Sequence, residues 1–272
     1  MIPTASAAAK KWITTLFAIL VVLLAVVFIG FRDFPESDPE IVFTKPSESE
    51  PREPSSLEAF AEAHDLPLTA WPEELLYLME QNPETEEFVR NFPLMKGDIL
   101  PINLEELENV EEVPLLLQWD ERWGYGEYGG SVMGLSGCGP TCLSMVCLYL
   151  LDEEIFDPWY IAQFSMESGY CEPGAGSTWT LISEGGVRLG LDVVEIPLDE
   201  DRLIRNLEVG NPVICVMGPG DFTTTGHFIV MTGYSDGEIR INDPNSIRRS
   251  EKTWKYEEIK DQIRNLWVCR LP

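Results

Sequence analysis

The stretch SGCGPTCLSMVC, residues 136 to 147, sets a cysteine between two glycines and follows it with proline and an apolar run. Proline suits the first turn of a helix, because the N–H it lacks would be unpaired there. A helix is therefore predicted from Gly139 to about Leu151, with Gly137 and Gly139 allowing a tight turn ahead of it. Cys138 then stands at the helix N-terminus, where free N–H groups and the positive end of the helix dipole favour a thiolate. The competing reading is a small apolar residue buried where a loop enters the core.

A nucleophilic thiol needs a base, and the chain has only two histidines. His64, in AEAHDLP, falls within a helical pattern and reads as a surface residue. His227 opens the strand-like HFIVMTGY behind the loop GPGDFTTTG, at a strand end where side chains from other elements converge. A third group must hold the imidazole tautomer. A tight turn over YSDG, Tyr234 to Gly237, pairs HFIVMTGY with EIRIND as a hairpin and returns Asn242 and Asp243 towards His227. Neighbouring strand residues face opposite sides, so only one of the two reaches the ring; Asp243 is the first choice and Asn242 the fallback. The plain alternative for Asp243 is a turn-initiating Asp-Pro. Gln118 ends VPLLLQW, read as a short strand from Val113 to Asp120, and offers a side-chain amide to an oxyanion beside the Cys138 N–H.

The order Gln118, Cys138, His227, Asp243, in the contexts VPLLLQWDERW, GCGPTCLSM, GHFIVMTGY and INDPN, resembles the papain-fold cysteine peptidases related to the bacteriocin-processing, double-glycine-leader peptidases. The resemblance covers residues 113 to 272. It implies Cys138 as nucleophile, His227 as general base, Asp243 as its orienter and Gln118 in the oxyanion hole, with no cofactor or metal. The leader-processing enzymes are fused to ATP-driven exporters and work inside the cell. This chain holds no GxxxxGK[ST] phosphate loop, which sets leader cleavage aside.

Other patterns fail on context. GYGEYG, from Gly124, fits a dinucleotide fingerprint only formally, and a GxSxG is broken because Cys138 takes the place of its last glycine. Cys142 and Cys147 lie in apolar surroundings and read as packing residues; the six cysteines show no regular spacing, so mostly free, buried thiols are expected. Trp119, Trp123, Trp159 and Trp179 are candidates for a substrate groove or for the core.

Along the chain, the apolar run Trp12 to Phe31 is about 30 Å long as a helix, enough to cross a bilayer. Lys10 and Lys11 before it, and acidic residues after it, predict a cytoplasmic tail over 1–11, a membrane anchor over 12–31 and an outward-facing remainder. The alternative is a cleaved signal and a secreted protein. Residues 32–56, rich in Pro, Ser and Glu, read as a disordered linker. SSLEAFAEAHDL, PEELLYLMEQN and PETEEFVRNF give a small helical segment over 57–112, either bracing the domain or covering its groove as a pro-region. Residues 113–272 then carry helices first, with further helical patterns near Pro158 to Ser168 and Ser177 to Leu189, and strands after, with a helix-like YEEIKDQIRN before the last strand, an α+β pattern.

A formal charge of −27 repels phosphate backbones and argues against nucleic-acid partners. The expected function is a membrane-anchored, extracytoplasmic cysteine hydrolase acting on a peptide or cell-wall peptide. The alternatives are a cell-wall amidase or transferase, and a binding or adhesion module with the same fold.

Overall fold

The computed structural model describes residues 56–104, 107 and 110–272, which lie within one compact unit. The tail, the anchor candidate at 12–31 and the linker up to residue 55 lie outside the described residues. Among the described residues no helix is long and apolar enough to cross a membrane.

The three helical patterns before residue 100 form helices α1 (Ser56–Ala63), α2 (Glu73–Gln81) and α3 (Glu86–Met95). Their apolar faces meet in a core of Trp71, Leu75, Phe88, Val89 and Phe92. That core also takes in Tyr125 and Val132 from the later part of the chain, with the Phe88 and Tyr125 rings stacked at 4.6 Å. The helical segment therefore shares a core with the α+β part. Phe88→Ala is expected to cost about 3–5 kcal/mol, read as a lower urea midpoint.

Helix α4 (Cys138–Leu151) is apolar on every side and is buried continuously from Gly139 to Leu148, so it runs through the centre of the molecule. Helix α5 (Pro158–Glu167) packs beside it, its start capped by Asp157, whose carboxylate accepts the Trp159 and Tyr160 N–H groups. Strands β1 (Asp192–Ile196), β2 (Val213–Met217), β3 (His227–Ser235), β4 (Glu238–Asn242), β5 (Thr253–Trp254) and β6 (Ile263–Arg270) form one antiparallel sheet ordered β1-β6-β2-β3-β4-β5. Alternation along the strands splits the core in two. Ile214, Val216, Phe228, Val230 and Trp267 join the cluster of α4. Cys215, Met217, Ile229 and Met231 join Leu203 and Leu207 of helix α6 (Glu200–Glu208) in the other.

The structure changes several local expectations. Val113 to Asp120 joins no sheet: Pro114 lacks a donor, the Leu116 N–H turns to the Met145 sulfur at 3.2 Å instead of a strand, and Gln118 and Trp119 form a turn closed by the Asp120 N–H on the Leu117 carbonyl at 3.1 Å. Ser177 to Leu189 is not one helix. It opens with the strand residues Gly176–Ser177 and continues as a π-helical turn, Leu181–Gly185, before Gly186–Arg188. YEEIKDQIRN yields only a short helix, Tyr256–Ile259, because the last strand already begins at Ile263. The hairpin turn sits one residue later than the quoted tetrapeptide, with Asp236 and Gly237 both at positive φ between paired Ser235 and Glu238, as a type I′ turn requires.

Candidate active site

A short helix and the long helix α4 meet head to tail at the nucleophile candidate. Met133–Ser136 ends at Gly137, and α4 begins at Cys138 itself, one residue earlier than the sequence pattern gives. The flanking glycines serve a different need from a tight turn. Gly137 has φ −86, an ordinary value, but a Cβ there would lie 2.6 Å from the Met133 carbonyl oxygen. At Gly139 a Cβ would lie 2.4 Å from Ser177 Oγ. Both positions are glycine because neighbouring atoms press against them.

The strand pairing carries the second and third groups to this point. Val230 faces Asn242 across the β3–β4 ladder, so Asp243 leaves the sheet one residue on and turns back towards His227. His227 is 7% exposed and Asp243 0%. The imidazole Nε2 lies 2.7 Å from Asp243 Oδ1 and donates to it, which leaves Nδ1 clear of that bond, and the ring acts electrostatically on the thiol of Cys138. Asn242, the fallback, is engaged elsewhere: its Nδ2 donates to the carbonyls of Val113 and Pro114 at 2.9 and 3.0 Å. It pins the start of the stretch that leads to Gln118.

The electrostatics of the three groups interlock. Burial opposes a Cys138 thiolate, but the hydrogen bond and charge of His227, with the N–H groups of Phe228 and Gly139, outweigh it and hold the thiol below its usual value. Burial likewise opposes an imidazolium, yet the charge and hydrogen bond of Asp243, joined by Cys138, push His227 up to about 10. Asp243 is held below the usual carboxylate range: burial works the other way, and His227 and then Arg249 overcome it. Of the six thiols only Cys138 is lowered; burial raises Cys142, Cys147, Cys171, Cys215 and Cys269.

Gln118 is 3% exposed. Its Nε2 donates to the Gly134 carbonyl at 2.9 Å, four residues before Cys138, and its Oε1 is buried without a partner among the described residues. An amide nitrogen carries two hydrogens, so one remains after the bond to Gly134. The Gln118 N–H also donates to the Pro244 carbonyl at 2.8 Å, tying this residue to the turn that follows Asp243.

Sequence reasoning missed Arg249. Its Nε donates to Asp243 Oδ2 at 2.5 Å, so the carboxylate is held between two cations, while the Asn245 N–H adds a bond of 2.8 Å to Oδ1. No local pattern marks an arginine six residues after the aspartate. His64 is exposed on the end of α1, with Nδ1 2.9 Å from the Phe60 carbonyl, and takes no part in the site. Of the four tryptophans, Trp123 is buried in the core and Trp159 packs over Gly126. Trp119 bonds the Asn245 carbonyl. Trp179 is 48% exposed and meets Trp267 edge-on at 5.8 Å.

A thiol at the head of a buried helix, an imidazole at a strand end and a carboxylate behind it form the arrangement used by thiol-dependent acyl-transfer enzymes. Residues 110–269 match the profile of the Peptidase_C39 like family, and the protein belongs to that family. It is similar to the peptidase domain of Streptococcus ComA, a bi-functional ABC transporter involved in a quorum-sensing pathway. That likeness has 19% identity and a TM-score of 0.38, and covers 50% of this chain and 93% of that one. It is also similar to a putative C39-like peptidase from Bacillus anthracis, with 18% identity and a TM-score of 0.35, over 57% of this chain and 94% of that one. No curated protein matches the chain.

Proposed function

We propose that the protein is a membrane-anchored, extracytoplasmic cysteine hydrolase with a papain-like catalytic domain that cleaves a peptide or amide bond. One observation carries the reading: the His227 ring is bonded through Nε2 to the buried Asp243 carboxylate at 2.7 Å, and the same ring lies close enough to Cys138 to hold its thiol below the usual value. The lowered Cys138 thiol and the raised His227 favour a thiolate–imidazolium pair. The thiolate attacks the carbonyl carbon, and the oxyanion takes hydrogen bonds from the Cys138 N–H and the remaining hydrogen of the Gln118 amide. His227 gives its Nδ1 proton to the leaving amine, the C–N bond breaks and a thioester is left on Cys138. His227 then takes a proton from water, whose oxygen attacks the thioester; the acid leaves and the thiolate returns. Asp243 keeps the ring oriented throughout. The apolar run at 12–31, behind Lys10 and Lys11, supports the anchor and the outward orientation.

The test is a mass-spectrometric screen of the whole protein against peptides and cell-wall peptide fragments. Products and a transient acyl adduct on Cys138 are expected from the wild type, and neither from Cys138→Ala with an unchanged circular dichroism spectrum. If every substrate survives the wild type intact and no adduct forms, the binding-module alternative takes the place of the hydrolase.

A further inference from the structure

The turn that carries Asp243 is held from outside. The Asn245 carbonyl accepts two side-chain donors, Asn82 Nδ2 at 2.5 Å and Trp119 Nε1 at 3.2 Å. Two residues on, the Glu84 carboxylate accepts the backbone N–H of Ile247 at 3.1 Å and of Arg248 at 2.9 Å. Asn82 and Glu84 form one corner between α2 and α3. Asn82 is 3% exposed, and its Oδ1 caps the 3-10 turn Pro83–Thr85 by accepting the Glu84 N–H at 3.3 Å. A buried amide and a carboxylate with both oxygens bonded to backbone make a stiff support. This corner lies outside the stretch that matches the family, residues 110–269.

We infer that Asn82 and Glu84 are positioning residues, which hold the turn from Asp243 to Arg249 so that the Asp243 carboxylate stays on His227. The segment α1–α3 is then a working part of the enzyme whose loss inactivates it, in contrast to a pro-region whose loss would activate it. This inference rests on the cysteine-hydrolase reading. Neither residue is bonded to Cys138 or His227, so their influence passes through Asn245, Ile247 and Arg248 alone.

The test uses the full chain carrying Asn82→Ala with Glu84→Ala, and separately Glu84→Gln, which keeps one acceptor oxygen. Two readouts are taken: the iodoacetamide labelling rate of Cys138 against pH, and hydrogen exchange of the amides at 245–249. The double variant is expected to label about ten- to a hundredfold more slowly at pH 6.5, as a displacement of about 1 Å at a catalytic group would cause. Its 245–249 amides should lose protection, and the pH at which His227 deprotonates, set by the facing Asp243 and Cys138 and by Arg249 behind Asp243, should fall below the wild-type value. Once a substrate is found, kcat drops while KM holds. Glu84→Gln should fall between the two, and it decides the matter if the double variant does not fold. Wild-type labelling rates with an unchanged pH profile would overturn the inference, whether or not the turn exchanges faster. Slow labelling of the wild type itself would instead remove the hydrolase reading; the exchange data would still show whether the corner holds the turn.

Discussion

Iodoacetamide at pH 6.5 is expected to label Cys138 in the wild-type protein at least about a hundredfold faster than in His227→Ala. In the wild type the imidazolium offsets the burial that would otherwise keep the thiol protonated. Without it, burial acts with little opposition and the thiolate fraction near neutrality becomes very small. The sign over the pH range follows from the same pair. Labelling rises as the pH passes the lowered value of Cys138. Hydrolysis, which also needs the Nδ1 proton for the leaving amine, declines again as the pH passes about 10, where His227 loses it. Equal labelling rates in the two proteins at pH 6.5 would remove the pairing of Cys138 with His227.

Asp243→Ala is the second large effect, and it falls on stability as well as activity. The carboxylate is fully buried and binds the His227 ring, the Arg249 guanidinium and the Asn245 N–H. Removing one partner of a buried charge pair costs about 3–5 kcal/mol, because the remaining charge loses its compensation without regaining water. The dependence on pH has two limits. Asp243 titrates lower in the folded protein than unfolded, so its contribution is present above the usual carboxylate pKa and is lost as the pH falls through the depressed value. His227 titrates higher when folded, so its share is complete below the usual histidine pKa and is lost as the pH rises through about 10. Urea midpoints of wild type and variant should therefore differ most between about pH 4 and pH 6.5 and converge outside that window. A constant difference from pH 2 to pH 11 would contradict the charge pairing.

Much of the site was legible because its chemistry is written in short, local patterns. Cys138 stands where Gly-Cys-Gly-Pro must begin a helix, His227 opens a strand, and the Ser-Asp-Gly turn fixes the hairpin that returns Asp243. Period-two alternation also separated Asp243 from Asn242, and the two now face different partners. What stayed hidden depends on contacts far apart in the chain. Arg249 sits in a polar turn with nothing in its neighbours to mark it, and nothing around Asn82 announces that its side chain meets the Asn245 carbonyl 163 residues away. Val113 to Asp120 reads as a strand by composition, yet its first residues bond to Asn242 and to a methionine sulfur and it ends in a turn, which no propensity encodes. The glycines beside Cys138 were correctly located and wrongly explained: conformational freedom is visible in sequence, while crowding by Ser177 and Met133 is not.

The uneven burial of the six thiols has a practical meaning. Five are raised by burial, four of them fully enclosed, and the half-buried Cys171 is held against Tyr128. Towards an electrophile near neutral pH this chain with six cysteines is expected to react first at Cys138. A stoichiometric reagent would therefore count functional molecules directly, so that in any preparation the fraction of protein correctly folded around Cys138 becomes a titration endpoint, read before a single substrate is known.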